Sequence, residues 1–221
     1  MNLQHTISVH KHESRTTPAV FVVDSDAAAR ATLEPLICAA GYVPRMIASA
    51  EEFLDLPREM TPACLLVELD LPGLNGLDLQ RRVFERAELP IIFMSGSHAD
   101  VHATVQAMKA GAFDFLFKPL VGAVLLSAIH QAIERSRIEL RHGATQRALE
   151  HRYESLSRRE REVMGLVVSG RLNKQVGGTL GISEITVKAH RGKMMRKMRA
   201  SSFAELVTMA ASLRGEAHVN A

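Results

Sequence analysis

Residues 156 to 191 contain Leu156-Ser157-Arg158-Arg159-Glu160-Arg161-Glu162-Val163, then Gly170-Arg171-Leu172-Asn173-Lys174-Gln175-Val176, then Leu180-Gly181-Ile182-Ser183-Glu184-Ile185-Thr186-Val187-Lys188-Ala189-His190-Arg191. Ser157 is positioned to cap a helix, with Glu160 three residues on to complete a capping box and Leu156 before it as a hydrophobic staple. Val163, Leu166 and Val167 form an apolar stripe at helical spacing. Gly170 suits a left-handed helix stop. Asn173 is expected to cap a short second helix. Gly181 supplies a tight turn, and Ser183 caps a third helix whose Val187, Met194 and Met198 face inward. Lys188, Arg191, Lys193, Arg196, Lys197 and Arg199 point elsewhere on it. A final amphipathic stretch, Ser202 to Leu213, is expected to bring Phe203, Leu206, Val207 and Met209 to the same core. Together these features predict a helix-turn-helix with a basic second helix, an element that sets side chains against base edges in the major groove.

A small bundle whose basic face merely solvates it would also be rich in Lys and Arg. Such a bundle rarely places caps, turn glycine and basic face in one register. The stretch resembles the four-helix DNA-binding domain of the NarL/LuxR family. That resemblance implies that Lys188, Ala189 and Gly192 face the groove, with Asn173, Lys174, His190 and Arg191 near phosphates. Thr186 and Lys193 belong to the same implied interface. Gly192 departs from the family, where a long polar side chain often stands.

Charge is divided in the same way. Residues 151–221 carry 13 Lys and Arg against 6 Asp and Glu, a balance of +7, whereas residues 1–150 carry 14 against 18, a balance of −4. A basic module behind an acidic one is the footprint of a phosphate-backbone binder. No apolar run is long enough to span a bilayer, and no signal-peptide core is present. Cys38 and Cys64 lie among apolar residues and read as buried thiols, not a disulfide. A cytoplasmic location is the expectation.

Before that module, short apolar runs alternate with helical patterns. Strands are expected at Ala19–Val23, Tyr42–Met46, Cys64–Leu69, Ile91–Met94 and Phe113–Phe117. Helices are expected at Asp26–Ala40, kinked by Pro35, at Gly76–Arg86 and Val101–Ala110, and from Val121 onward. Five near-continuous apolar strands separated by helices predict an α/β, doubly wound parallel sheet, whose active crevice lies at the carboxyl ends of the strands. Residues 1–18 read as a disordered tail, with His5, His10 and His12 as a weaker metal-binding alternative. Residues 19–136 form the α/β domain, 137–153 a helical linker, 154–214 the helix-turn-helix domain and 215–221 a tail.

The strand ends collect Asp24-Ser25-Asp26, Glu68-Leu69-Asp70-Leu71-Pro72-Gly73, Ser95-Gly96 and Lys118-Pro119. With Ala107-Met108-Lys109-Ala110-Gly111-Ala112, they resemble a flavodoxin-like response-regulator receiver domain over roughly residues 19 to 136. The whole chain resembles a FixJ/NarL-type two-component response regulator. The resemblance implies a phosphoacceptor aspartate after strand three, two acids holding Mg²⁺, and a hydroxyl and a lysine that contact the phosphoryl group. Asp24 matches the first acid, Asp70 the position whose backbone carbonyl ligates metal, and Ser95 the hydroxyl. Phe115 matches the aromatic switch and Lys118 the lysine, with Pro119 after a cis peptide bond.

Two positions depart. Ser25 stands where the second acid belongs, and Glu68 where the phosphoacceptor belongs. The first change removes a ligand; the second moves the acceptor by one methylene. Asp26 could swing in as a substitute ligand, but at a helix start it should project away from the rim. Mg²⁺ at Asp24 and Asp26 is therefore expected to be weak or absent, and no other cofactor is expected. The segment Ser95 to Asp100 looks about one residue longer than usual. Three readings of Glu68 compete: a permanent charge reaching Ser95 and Lys118 in imitation of phosphorylation, a relic paired with Lys118, and a weak acceptor.

The expectation is a non-enzymatic regulator that binds duplex DNA as a homodimer through the receiver, around Val101 to Phe117 and the helix that follows. Beyond it, Ile133, Ile138 and Leu140 either extend a dimer seam or line a solvated linker helix. A phosphorylation-switched regulator and a module that sequesters partners are the alternatives, with a metal-dependent phosphatase weaker still. No residue pattern identifies a sensor kinase.

Overall fold

Three strands are apolar at nearly every position because both of their faces are covered. In the computed structural model, which describes residues 17–96 and 101–217, β1 (Ala19–Val23), β3 (Ala63–Glu68) and β4 (Ile91–Ser95) are buried throughout. With β2 (Val43–Ile47) and β5 (Asp114–Phe117) they form, among the described residues, a parallel sheet of order β2-β1-β3-β4-β5. Alternation sends Phe21, Val23, Leu65, Val67 and Phe93 to one face and Val20, Val22, Leu66, Ile92 and Met94 to the other. The first face packs on α2 (Ala50–Leu54), α3 (Gly76–Arg82) and α4 (Val101–Lys109) through Phe53, Leu79 and Ala107. The second is covered by α1 (Ala27–Ala39) and α5 (Gly122–Glu154) through Leu33, Ile37, Leu125, Ile129 and Ile133. This is the doubly wound α/β arrangement expected.

Several local expectations are corrected. β2 is not a continuous apolar strand but alternates in burial, because it is an edge strand and Pro44 and Arg45 are tolerated there. β2 and β3 are each displaced by one residue from the expected bounds, and α3 stops at Arg82. The α1 helix runs through Pro35; the ring forgoes only the bond to the Ala31 carbonyl, while Leu33 and Ile37 anchor the helix on either side. Cys38 is exposed, one position past the inward Ile37 and so turned outward; Cys64 is buried, and burial pushes its thiol up to about 12. The short helix α2 was not read from the sequence, although Ser49 accepting from the Glu52 N–H is an ordinary cap. Ile133 is 1% exposed within the first unit's core, so it is not available to a dimer seam.

The chain divides into two units, 1–141 and 142–221, with α5 contributing to both. Residues 137–153 are helical as part of α5. In the second unit, α6 (Arg158–Val168), α7 (Asn173–Leu180), α8 (Glu184–Met198) and α9 (Phe203–Ala217) enclose Leu156, Val163, Met164, Val167, Val176, Val187, Met194, Met198 and Leu206. Ser157 and Glu160 form the expected capping box: the Glu160 N–H donates to Ser157 and the Ser157 N–H to Glu160. Gly170 and Gly181 have φ of +87° and +67°. Asn173 is not a cap but the first residue of α7. The cap position is Leu172, whose N–H donates to the Gln175 side chain. Phe203 and Val207 are 39% and 37% exposed and do not join the core; Leu206 and Ala210 do. Among the described residues no helix is long and apolar enough to cross a membrane. Of the expected tail 1–18, residues 1–16 with the three histidines lie outside the described residues, whereas Pro18 is buried and its carbonyl accepts from the Val43 N–H, so the tail ends earlier than expected. Residues 97–100 of the lengthened segment and residues 218–221 also lie outside them.

The α7–α8 turn depends on Gly177. A Cβ there would lie 2.7 Å from the Ile182 carbonyl oxygen, whereas one at Gly178 would meet nothing within 4 Å. Gly177→Ala is expected to cost about 1–3 kcal/mol by overpacking. Gly178→Ala should stabilise by about 0.5–1 kcal/mol, since it removes the backbone freedom of a helical glycine. Thermal unfolding of the second unit, followed by circular dichroism, compares the two; equal effects would contradict the account.

Candidate functional sites

The carboxyl ends of the central strands place four polar side chains at one rim of the sheet. Asp24 follows β1, Glu68 ends β3, Ser95 ends β4 and Lys118 follows β5. The β4–β5 register pairs Ser95 with Phe117, and the Lys118 N–H donates to the Ser95 carbonyl at 2.7 Å, which aims the lysine back across the rim. The Lys118–Pro119 peptide is cis. Asp24, Glu68 and Ser95 are 1%, 8% and 0% exposed. Such carboxylates require compensation, since an unpaired buried charge is far costlier than a paired one.

Lys118 supplies it. Its ammonium lies 2.9 Å from Asp24 Oδ2 and is ion-paired with Glu68 Oε2. Burial alone would lower the lysine pKa. The hydrogen bonds to Glu68 and Asp24, together with their charges, outweigh burial and hold it above its ordinary value. The second oxygens of the carboxylates are also engaged: Asp24 Oδ1 accepts from the Asp26 N–H at 2.9 Å, and Glu68 Oε1 from the Leu69 N–H at 3.1 Å. Glu68 thus reaches Lys118 but not Ser95, whose buried hydroxyl has no partner among the described residues. Phe115 is half-buried, stacked on Phe93 at 6.0 Å and tilted against Phe117 at 5.2 Å.

The remaining rim residues are less concentrated. Ser25, Asp26 and Asp70 are exposed. Asp26 is the N-cap of α1, accepting from the Ala28 N–H at 2.9 Å, so its carboxylate is committed to the helix. Two participants were missed in the sequence. Arg30 donates to the Asp24 carbonyl. Glu51 accepts from the Leu74 N–H at 3.0 Å and so holds the loop after β3; hydrogen bonds keep its carboxyl below the usual range. The Glu51 contact carried no signal because it depends on how the chain folds back, and the Arg30 contact depends on how the first turns of α1 leave β1.

The donor set for a divalent cation is two carboxylates, the Ser25 hydroxyl and the Asp70 carbonyl. Among the described residues, no three His, Cys, Asp or Glu side chains gather into a metal-holding group. A Mg²⁺ ion needs oxygen ligands in near-ideal octahedral geometry. It would compete with an ammonium that already binds both carboxylates, so the residues present do not fit it well.

In the second unit, α8 carries two faces. Val187, Met194 and Met198 are buried, while Ile185, Lys188, Ala189, Gly192, Lys193 and Arg196 are exposed. Ser183 caps the helix, accepting from the Thr186 N–H at 3.2 Å, and the two hydroxyls lie 2.8 Å apart. Lys188 makes an exposed pair with Glu184 at 3.2 Å, a contact of little net value. The half-buried Arg191 donates to Asn173 Oδ1 at 3.1 Å and lies 5.0 Å from the centre of the Phe203 ring. Asn173 and Phe203 therefore orient one guanidinium instead of capping a helix and filling the core. Lys174 is exposed and His190 half-buried. Lys197 is taken up internally: its ammonium donates to Glu160 Oε2 at 2.6 Å and to the Ser155 carbonyl at 3.0 Å.

Comparison with known proteins follows the same division. Residues 20–130 match the response regulator receiver domain, and residues 154–210 match the bacterial regulatory proteins of the luxR family. The chain is 43% identical over 202 residues to nodulation protein W of Bradyrhizobium diazoefficiens, covering 91% of this chain and 88% of that protein. It is 38% identical over 205 residues to the response regulator protein TodT of Pseudomonas putida, covering 92% and 90%. Among solved structures, the response regulator StyR is similar with a TM-score of 0.78 at 38% identity, covering 89% of this chain and 99% of that one. Full-length FixJ from B. japonicum has a TM-score of 0.52 at 35% identity, covering 89% and 98%.

Glu160 offers a test of the internal ion pair. Burial raises its pKa, but the bonds from Lys197 and Ser157 and the lysine charge outweigh that and hold it below the ordinary value. A depressed carboxyl stabilises the fold above its unfolded pKa, and that contribution is lost as pH falls through the folded one. Glu160→Gln should therefore destabilise the second unit at pH 7. The gap from wild type should narrow as pH drops below about 4.5. Urea unfolding across this range measures it, and a gap that does not change with pH would contradict it.

Proposed function

The chain belongs to the two-component response regulators that join a receiver domain to a LuxR-type DNA-binding domain, and from that premise we propose a transcriptional regulator whose receiver operates without aspartyl phosphorylation. The observation that carries this reading is the Lys118 ammonium bound to both Asp24 and Glu68. In the family's chemistry, an aspartate at the position of Glu68 accepts a phosphoryl group beside a metal. Here the carboxylate is one methylene longer and its oxygens are occupied. The position of the second acid is held by Ser25, and Asp26 is committed as a helix cap. Reaction of this kind tolerates little misplacement; an error of about 1 Å can cost a hundredfold.

Glu68 supplies at most one negative charge, and Lys118 meets it. We read it as a built-in partner for the lysine, a partial substitute for the charge that phosphorylation brings. Mg²⁺ has no role in this reading. Assembly is proposed as a homodimer through α4, β5 and the start of α5, where Val101, Val105, Met108, Phe117, Val121 and Val124 are exposed apolar side chains on a receiver face. A paired protein matches DNA half-sites about one helical turn apart.

The output domain is read as a duplex binder in which Lys188 faces the groove and Arg191, oriented by Asn173 and Phe203, meets a phosphate. Its basic balance supplies the sequence-independent part of the affinity.

Two experiments bear on this. Incubation with acetyl phosphate and Mg²⁺ should yield no phosphorylated protein by intact mass, and DNA binding should be unchanged. Restoring aspartate with Ser25→Asp and Glu68→Asp together should recover phosphorylation. A phosphorylated wild type, abolished by Glu68→Ala, would establish the ordinary phosphorylation-switched regulator instead. On the DNA side, Lys188→Ala should cost about 1–3 kcal/mol of affinity for duplex fragments if it reads a base edge. Equal binding of wild type and the Lys188→Ala, Arg191→Ala double variant at physiological salt would refute the assigned interface.

A further inference from the structure

The exposed face of α8 is chemically unusual for a surface that must discriminate bases. At 100° per residue, Ile185, Lys188, Ala189 and Gly192 fall on one stripe, opposite the buried Val187, Met194 and Met198. Of these four, Lys188 alone carries a hydrogen-bond donor; Ala189 presents a methyl group and Gly192 nothing. A Cβ at Gly192 would meet no atom within 4 Å, so the gap on the stripe is open space. Ile185 stands in the first turn of the helix and is 80% exposed, with four aliphatic carbons in water. Lys193 flanks the stripe and Arg196 continues it toward the C-terminal end of the helix; both are exposed. An apolar stripe edged by cations suits a polyanion with an apolar feature in its groove, and the major groove has one: the C5-methyl of thymine.

We propose that Ile185 is a specificity-determining residue that reads thymine methyl groups in the major groove of the operator. This rests on the DNA-binding reading above and deepens it. In the first two turns of the stripe Lys188 supplies the donor, for a purine acceptor at a neighbouring step. Gly192 and Ala189 leave no long side chain to hold the helix off the groove floor, so the first turn can approach closely enough for methyl–methyl contact. The operator half-site is accordingly T-rich where the first turn of α8 lies, and the contact is hydrophobic instead of hydrogen-bonded. Because the Ile185 side chain makes little contact with its own domain, it can be truncated without disturbing the fold.

The full-length protein is used to select duplexes from a random-sequence pool at physiological salt. In the best duplex each thymine is then replaced singly by deoxyuracil, which removes the methyl and keeps the pairing. Wild type is expected to lose about three- to tenfold in affinity at one or two thymines per half-site, the scale of one methyl returned to water. Ile185→Ala should bind the unmodified duplex more weakly by a similar factor, be indifferent to uracil at those positions and unfold at an unchanged temperature. Methyl indifference of the wild type, or equal losses in both proteins at every position, overturns the proposal while leaving DNA binding intact. Failure to enrich any duplex overturns the DNA-binding reading, and this proposal with it. Altered self-association of Ile185→Ala at unchanged duplex affinity also overturns it, because the face would then be a protein contact.

Discussion

The receiver rim is governed by one constraint: Asp24 and Glu68 are both nearly buried beside each other, and only a cation makes that tolerable. Lys118 meets both carboxylates, and every nearby polar group is arranged around that fact. The Asp26 N–H satisfies Asp24, the Leu69 N–H satisfies Glu68, and the Lys118 backbone is tied to Ser95. The Ser95 hydroxyl has no partner among the described residues. Glu68 brings its carboxylate to the ammonium while its backbone stays in the β3 ladder against Met94. On the proposed reading, an incoming phosphoryl group or metal would have to displace a salt bridge that is already complete.

The same physics recurs in the second unit. Glu160 is 3% exposed and closes the capping box of α6, and Lys197 from the end of α8 neutralises it. This pair ties α6 to α8 and commits one lysine to a contact within the domain. Arg191 is treated in the opposite way. Asn173 and Phe203 hold its guanidinium, which on the proposed reading reduces the freedom an arginine must otherwise lose when it engages a phosphate. The basic balance of residues 151–221 is therefore a mixture of structural and outward-facing cations, and charge counting alone does not separate them.

Legibility differed with the range of the interaction. Strands buried on both faces were read from continuous apolar runs, and the helices around the turn from caps and glycines, because those signals lie within a few residues. Misreadings came where a local rule competed with a distant partner. Asn173 is a good cap residue, but Arg191, eighteen positions away, takes its side chain. Phe203 is a good core residue, but lies against the same arginine. Cys38 follows an inward isoleucine and so faces water. Ile133 looked free to form a seam but is buried beneath the sheet. Glu51 gave no sign of holding a loop that begins more than twenty residues later.

The amino-acid sequence by itself determined the class of the fold, the order of its elements, the helix-turn-helix and the substitution of Ser25 and Glu68 at the rim. These follow from periodicity, capping chemistry and residue identity, which are properties of neighbours along the chain. Only the tertiary structure decided what those residues do to one another. It set Glu68 and Asp24 on one ammonium, left the Ser95 hydroxyl without a partner among the described residues, committed Asp26 to a helix end and exposed Ile185 beside Lys188. The reason is geometric: which side chains meet at a rim or on a helix face is set by strand register and crossover connections. Those are fixed by the packing of two whole sheet faces, not by any single stretch of residues.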